Sequence, residues 1–304
     1  MSRCLISFGA NIGDAYHTIL AASRQLEVFL GSKAKNYQLS RLFKTPPVGG
    51  PVGQPPFVNA AAAFETELSV WEIWDCVRKL EHDFGRERNQ RWEARKLDMD
   101  ILLFGDLRVW TPHLKIPHPR MCMRRFILSP AGDVAAQWRD PVSGLSIADL
   151  SQRLQRPAKL LVTASSPEAA NSLMIEVARQ ANATWTSPES LFSEKASRSL
   201  ALHSKPWNQL METELEILCG ASLPTLLVTL ANDSQSSGKK DGACEDRFRQ
   251  IAAELNLLES DSVARVRFAG PRYMLEAENC DWAIHELVSA FDAMDCPVES
   301  VEKA

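Results

Sequence analysis

Leu97-Asp98-Met99-Asp100-Ile101-Leu102-Leu103-Phe104-Gly105-Asp106 reads as a β-strand closed by a turn. Side chains alternate between faces along a strand, so Asp98 and Asp100 point the same way while Leu97, Met99 and Ile101 point into the core. Two carboxylates side by side resist full ionisation unless a cation lies between them. Their hard oxygens suit Mg²⁺, which keeps part of its water shell and arrives with a triphosphate. Two such ions could clamp the attacked and leaving oxygens of a phosphoryl or pyrophosphoryl transfer. Taken alone, an Asp-x-Asp pair is more often the pattern of a solvated strand edge. The residues just before it shift the balance: Gly85 to Lys96 holds Arg86, Arg88, Arg91, Arg95 and Lys96. Cations beside an acidic pair imply a polyphosphate, with Arg as planar bidentate donors and Trp92 able to cover a base.

Upstream, Cys4 to Phe8 reads as a first strand ending in Gly9-Ala10-Asn11-Ile12-Gly13-Asp14. A helix is expected from Ala15 to Leu30 with Asp14 as its N-cap. Leu39 to Lys44 reads as a second strand running into the proline- and glycine-rich loop Thr45 to Pro56. Phe57 to Phe64 is small and apolar, as a strand buried on both faces would be. Ser69 to His82 is amphipathic, with Leu68, Trp71, Ile73, Trp74, Val77 and Leu80 offered to the core. Leu97 to Phe104 and Leu107 to Trp110 are expected to form a hairpin about Gly105-Asp106, and Arg124 to Ala136 a further helix. This order predicts an α+β fold, a ferredoxin-like, mainly antiparallel sheet with helices laid on it.

The pattern starts afresh after Leu150, and a boundary is expected near residue 156, dividing 1–156 from 157–304. In the second part, strands at Lys159–Ala164, Pro224–Leu230 and Ala264–Phe268 alternate with helices at Pro167–Ala181, Cys244–Leu258 and Asp281–Met294, which predicts a second α/β layered domain. Asn232 to Gly242 is a polar loop. No phosphate-binding loop is present, since Gly238-Lys239 is followed by Lys240 rather than Ser or Thr. The net charge of −4 argues against general nucleic-acid binding. Seven scattered cysteines without a C-x-x-C pair favour free thiols in a reducing compartment. With no signal h-region and no long apolar run, a cytoplasmic protein away from membranes is expected.

The stretch Arg91 to Gly105 closely resembles the signature of the 6-hydroxymethyl-7,8-dihydropterin pyrophosphokinases. Phe8 to Asp14 is similar to that family's opening turn, Tyr37 to Pro47 to its strand ending in T-P-P, and Gln54 to Ala61 to its pterin-binding segment. Ile116-Pro117-His118-Pro119-Arg120-Met121 and Arg124-Arg125-Phe126 match later blocks in the same order, so the resemblance covers residues 3 to 150. It implies transfer of pyrophosphate from ATP, as co-substrate, to hydroxymethyl-dihydropterin in folate biosynthesis, with two Mg²⁺ ions held by Asp98 and Asp100.

By the same resemblance, Arg86 or Arg88 acts with Arg95 on the phosphates. Arg88, Arg91, Trp92, Ile101, His118 and Arg124 contact ATP. Phe57 and Phe126 sandwich the pterin, and Asn59 with Thr45, Pro47 and Val48 reads its amide edge. His113 and Pro119 stand where other nucleotide contacts would be expected. The second half is faintly similar to deoxynucleoside-kinase domains around Gly270 to Ala277 and, lacking a phosphate loop, reads as a degenerate, inactive relative of them. The helices Pro167–Ala181 and Asp281–Met294 are then expected to cover apolar surface, against a second subunit of a homo-oligomer or against the first domain. A bifunctional enzyme and a non-catalytic pterin- or nucleotide-binding module are the rival readings.

Overall fold

The structure, a computed structural model, describes residues 1–51, 53–85, 95–164, 167–192, 197–204, 226–231, 271–276 and 279–301. The expected helix Cys244–Leu258, the strand Ala264–Phe268 and the loop Asn232–Gly242 lie outside them, as do Arg86, Arg88, Arg91 and Trp92.

The first part is built on β1 (Ser2–Ala10), α1 (Ala15–Leu30), β2 (Ala34–Leu39), β3 (Leu42–Thr45), β4 (Phe57–Thr66), α2 (Val70–Asp83) and β5 (Asp98–Phe104). Asp14 caps α1 by accepting a bond from the His17 N–H at 3.1 Å, and Gly31 at φ +48° ends it. Ser69 and Glu72 form a reciprocal capping box at the start of α2. Val70, Ile73, Val77 and Leu80 make its buried stripe. Trp71, expected in that core, lies one position off the stripe. It is 48% exposed and packs edge-on against Trp74.

The strands are antiparallel, with β4 and β1 central, β5 beside β1, and both β2 and β3 along the far edge of β4. The single strand expected over Leu39 to Lys44 is thus two. It breaks at Ser40, whose Oγ accepts the Ala61 N–H at 2.9 Å in place of a ladder bond. The expected hairpin after β5 does not form either. Gly105 turns with φ +52°, but β6 (Val109–Trp110) pairs with β7 (Lys115–Ile116). The His118 N–H donates to the Leu102 carbonyl at 3.0 Å, so the main chain beyond β7 occupies the edge of β5 that a hairpin would have used.

One face of this sheet, through Ile6, Phe8, Phe64, Met99 and Ile101, packs on α1 and α2. The other, through Leu5, Ala61, Ala63 and Leu103, packs on α3 (Arg125–Ala135). Arg41, at the β2–β3 break, grips Asp133 of α3 with both carboxylate oxygens, at 2.7 and 2.8 Å. Helix α3 is thereby fixed over one end of the sheet, and the other end of that face stays open.

After α4 (Ile147–Arg153) a second sheet begins, formed by β8 (Lys159–Ala164), β9 (Thr184–Trp185), β10 (Ser199–Leu202), β11 (Leu226–Ala231) and β12 (Arg272–Glu276). Its order is β12-β11-β8-β10-β9 and all its pairings are parallel. Near-continuous apolar strands such as Leu160-Leu161-Val162 suit a sheet covered by helices. The helices α5 (Pro167–Gln180) and α6 (Cys280–Asp295) pack on each other. A last strand, β13 (Glu299–Val301), returns to pair with β3 of the first sheet. Leu5, Ile127 and Leu128 belong to the same buried cluster as Leu160, Val162, Leu287 and Phe291, so one apolar core runs from the first sheet through α3 into α6 and the second sheet. Among the described residues, no helix is long and apolar enough to cross a membrane.

Candidate active site

Directly opposed residues of an antiparallel pair share a face. Gly9 opposes both Asp98 and Asn59, Ser7 opposes Asp100, and Thr45 opposes Phe57. These side chains therefore meet on the α3 face of the sheet, at the end α3 leaves open. Gly9 contributes no side chain there, and the space becomes the floor of a cleft of about 430 Å³, a volume that suits small-molecule ligands.

On one side, Phe57 and Phe126 line the cleft with Thr45, Val48 and Asn59. The buried Asn59 amide donates to Thr45 Oγ1 at 2.9 Å, which fixes its orientation. On the other side lie Asp98 and Asp100, with Arg95, Lys115, His118, Arg120 and Arg124. Met99 between the acids is 3% exposed and buried on the opposite face, as the alternation requires. Its N–H donates to the buried Glu81 carboxylate of α2 at 2.9 Å, which holds the acidic end of β5 in place.

Arg95 donates directly to Asp98. Asn11 sets its backbone, accepting the Arg95 N–H at 2.7 Å and donating its own N–H to the Arg95 carbonyl at 3.0 Å. The Asn11 amide also reaches Gln54 Oε1 and the Pro55 carbonyl, at 3.4 and 3.3 Å. One buried side chain thus ties the arginine to the proline-rich loop. We expect Arg95→Ala to slow turnover by about 10- to 100-fold with the Michaelis constant for pterin unchanged. Steady-state kinetics in each substrate checks this, and a pure change in pterin affinity contradicts a phosphate role.

His118 Nδ1 accepts the Arg120 N–H at 3.2 Å, so the ring proton sits on Nε2, which faces Asp100 Oδ2 at 3.7 Å. Burial, with Arg124 and Arg120 close by, holds its pKa well below the usual imidazole range, so the ring is neutral at pH 7. Burial, then Arg120, brings Arg124 down to about 10, still a cation at neutral pH, with its guanidinium 5.4 Å from the Phe126 ring.

Of the residues expected at the site, the structure brings together Arg95, Asp98, Asp100, His118, Arg124, Thr45, Val48, Phe57, Asn59 and Phe126. Pro46 lines the cleft rather than Pro47, which follows it in the turn. Ile101 is 4% exposed with its side chain in the core facing α1 and α2, so only its main chain is open to a nucleotide role. Arg120 and Lys115 join them in the lining without a sequence signal of their own, although Arg120 stands inside the Ile116 to Met121 block. Tyr273, Met274, Leu275 and Trp282 of the second half also line the cleft, and no local pattern in the sequence marks them.

The donors present fit Mg²⁺ by their chemistry, since two hard carboxylates share one face beside a cationic wall. Among the described residues, no three or more His, Cys, Asp or Glu side chains form a metal-holding group. The remaining ligands would then be phosphate oxygens and water, as is usual for this ion. Two aromatic side chains beside an acidic pair faced by cations are the groups that an enzyme acting on a polyphosphate and a planar heterocycle would need.

Residues 5–136 match the family model for 7,8-dihydro-6-hydroxymethylpterin-pyrophosphokinase (HPPK). The 2-amino-4-hydroxy-6-hydroxymethyldihydropteridine pyrophosphokinase of Pseudomonas aeruginosa is 36% identical over 141 residues, covering 46% of this chain and 85% of that protein. That of Bacillus subtilis is 34% identical over 132 residues, covering 43% and 77%. The folic acid synthesis protein FOL1 of Dictyostelium discoideum is 31% identical over 138 residues, 45% of this chain and 20% of that protein. A Plasmodium falciparum HPPK-DHPS structure with pteroate aligns with 97% of this chain and 83% of its own at a TM-score of 0.39 and 11% identity, too distant to bear on the fold. The chain belongs to the 7,8-dihydro-6-hydroxymethylpterin-pyrophosphokinase family.

Proposed function

We propose that residues 1–156 are the catalytic unit, a ferredoxin-like domain whose open sheet face holds the pterin between Phe57 and Phe126 and the triphosphate between Asp98/Asp100 and His118/Arg124. The activity follows from the family: the chain is an ATP-dependent pyrophosphokinase that transfers pyrophosphate from ATP to 6-hydroxymethyl-7,8-dihydropterin in folate synthesis. The observation that supports the site reading is the shared face of Gly9, Asn59, Asp98 and Asp100, in a cleft also lined by Phe57 and Phe126.

Asn59 and Thr45, already bonded to each other, offer their remaining polar atoms to the amide edge of the ring, while the two phenyl rings exclude water from its faces. The hydroxymethyl oxygen attacks the β-phosphorus of ATP. The bond from that phosphorus to the α,β-bridging oxygen breaks, AMP leaves, and the hydroxyl proton passes to solvent. Two Mg²⁺ ions held by Asp98 and Asp100 would neutralise charge on the transferred group. Arg95 and Arg124 add cationic donors, and neutral His118 offers its Nε2–H. No general base is required, because positioning and electrostatic stabilisation supply most of the acceleration in such transfers.

No activity is assigned to residues 157–304, whose likeness to deoxynucleoside-kinase domains rests on sequence alone. A homo-oligomer is not needed to cover α6, since its apolar face joins the core shared with α3. AMP release from ATP by the full chain, dependent on hydroxymethyl-dihydropterin, tests the reading. We expect Phe126→Ala to weaken pterin binding by about 1–3 kcal/mol through lost stacking while ATP affinity holds. Equal loss of both ligands with a lower melting temperature would show a packing role instead.

A further inference from the structure

The cleft has a wall that the first 156 residues do not supply. Met274 and Leu275 of β12 and Trp282 at the start of α6 line it, together with Arg120 and Arg124. Behind them Arg120 reaches across the halves of the chain, donating to Glu286 Oε1 at 2.6 Å and to the Tyr273 hydroxyl at 3.1 Å. Tyr273 in turn donates to Glu286 Oε2 at 3.1 Å. Glu286 is 1% exposed, and so is a carboxylate buried in the second half whose described partners are an arginine and a phenol. Resting on the site reading above, we infer that Glu286, with Tyr273, is a positioning residue that holds Arg120 over the polyphosphate of ATP. The appended second half then completes the nucleotide side of the active site.

Charge explains why such a holder is needed. Arg120 and Arg124 crowd the same wall and repel each other, and Glu286, paired to Arg120 from behind, adds to Asp98 and Asp100 the charge that keeps the partly exposed Arg120 side chain from turning toward solvent. A guanidinium carries five donors in a plane, so it can engage a carboxylate and a phosphate together. A buried acid is costly unless fully bonded, and Glu286 uses both its oxygens on this arrangement. On the ring side the polar group is held by other partners, since the Asn59 amide is bonded to Thr45.

The test is steady-state kinetics of the full chain carrying Glu286→Gln, with Tyr273→Phe as a milder change should the first fail to fold. The expected result is a rise of about tenfold in the Michaelis constant for ATP, with that for pterin unchanged. In an Arg120→Ala background, Glu286→Gln should add nothing to the ATP constant, because it acts through Arg120. A lower melting temperature with both Michaelis constants within about twofold of the parent overturns the inference and leaves Glu286 a structural tie. Equal increases for both substrates overturn it too. Asp98→Ala, measured alongside, separates the two claims: an active Asp98 variant refutes the site reading itself, while an inactive one with normal Glu286→Gln kinetics refutes only the positioning role.

Discussion

Asp98→Ala and Asp100→Ala are each expected to lower turnover by at least about a thousandfold, a barrier increase of roughly 4 kcal/mol. Both acids stand on the open face of β5, with side chains 23% and 38% exposed, at the point where the cationic wall meets the sheet. Removing either takes away one of the two carboxylates among the described residues that line the cleft. The cationic side chains remain, so ATP still binds, but charge developing on the transferred group loses its stabilisation. Stability should hold or rise slightly, because two like charges no longer lie side by side on one face of the strand. Rapid-quench measurement of AMP formation with a parallel thermal melt checks both halves. Turnover within about tenfold of the parent would remove the metal-holding role from the pair.

Much of this site was legible because its signals are local. Alternation alone put Asp98 and Asp100 on one face with Met99 opposite, and Asp14 with the apolar spacing of Ala15–Leu30 marked α1 from end to end. Where the reading failed, the deciding partner lay far along the chain. Strand Leu39–Lys44 was split by a bond between Ser40 and Ala61, and the Gly105 hairpin was pre-empted by the main chain at His118. Alternating elements predict an α/β second half, but its share in the cleft depends on Tyr273 and Glu286 meeting Arg120 across 153 and 166 residues. Periodicity carries no information at that range. The buried Glu286 sits in an apolar helix face where sequence alone would place it in solvent.

Phe291→Ala should be the most destabilising single change among the described residues of the second half, at about 3–5 kcal/mol, because it empties a fully buried aromatic site. Phe291 lies on α6 in the cluster that also contains Leu5 of β1 and Ile127 and Leu128 of α3. If that cluster acts as one core, the loss is felt by both sheets. Urea unfolding followed by circular dichroism and by residual AMP-forming activity should then give a single transition at a lower midpoint, with the slope unchanged. Two separated transitions, with activity surviving the first, would show that the halves unfold independently. The shared core also bears on catalysis, since α3 carries Phe126 at its start and follows directly on Arg124. Loosening α6 beneath it should widen the ring slot before the chain unfolds, so the Michaelis constant for pterin should climb with temperature earlier in the variant than in the parent.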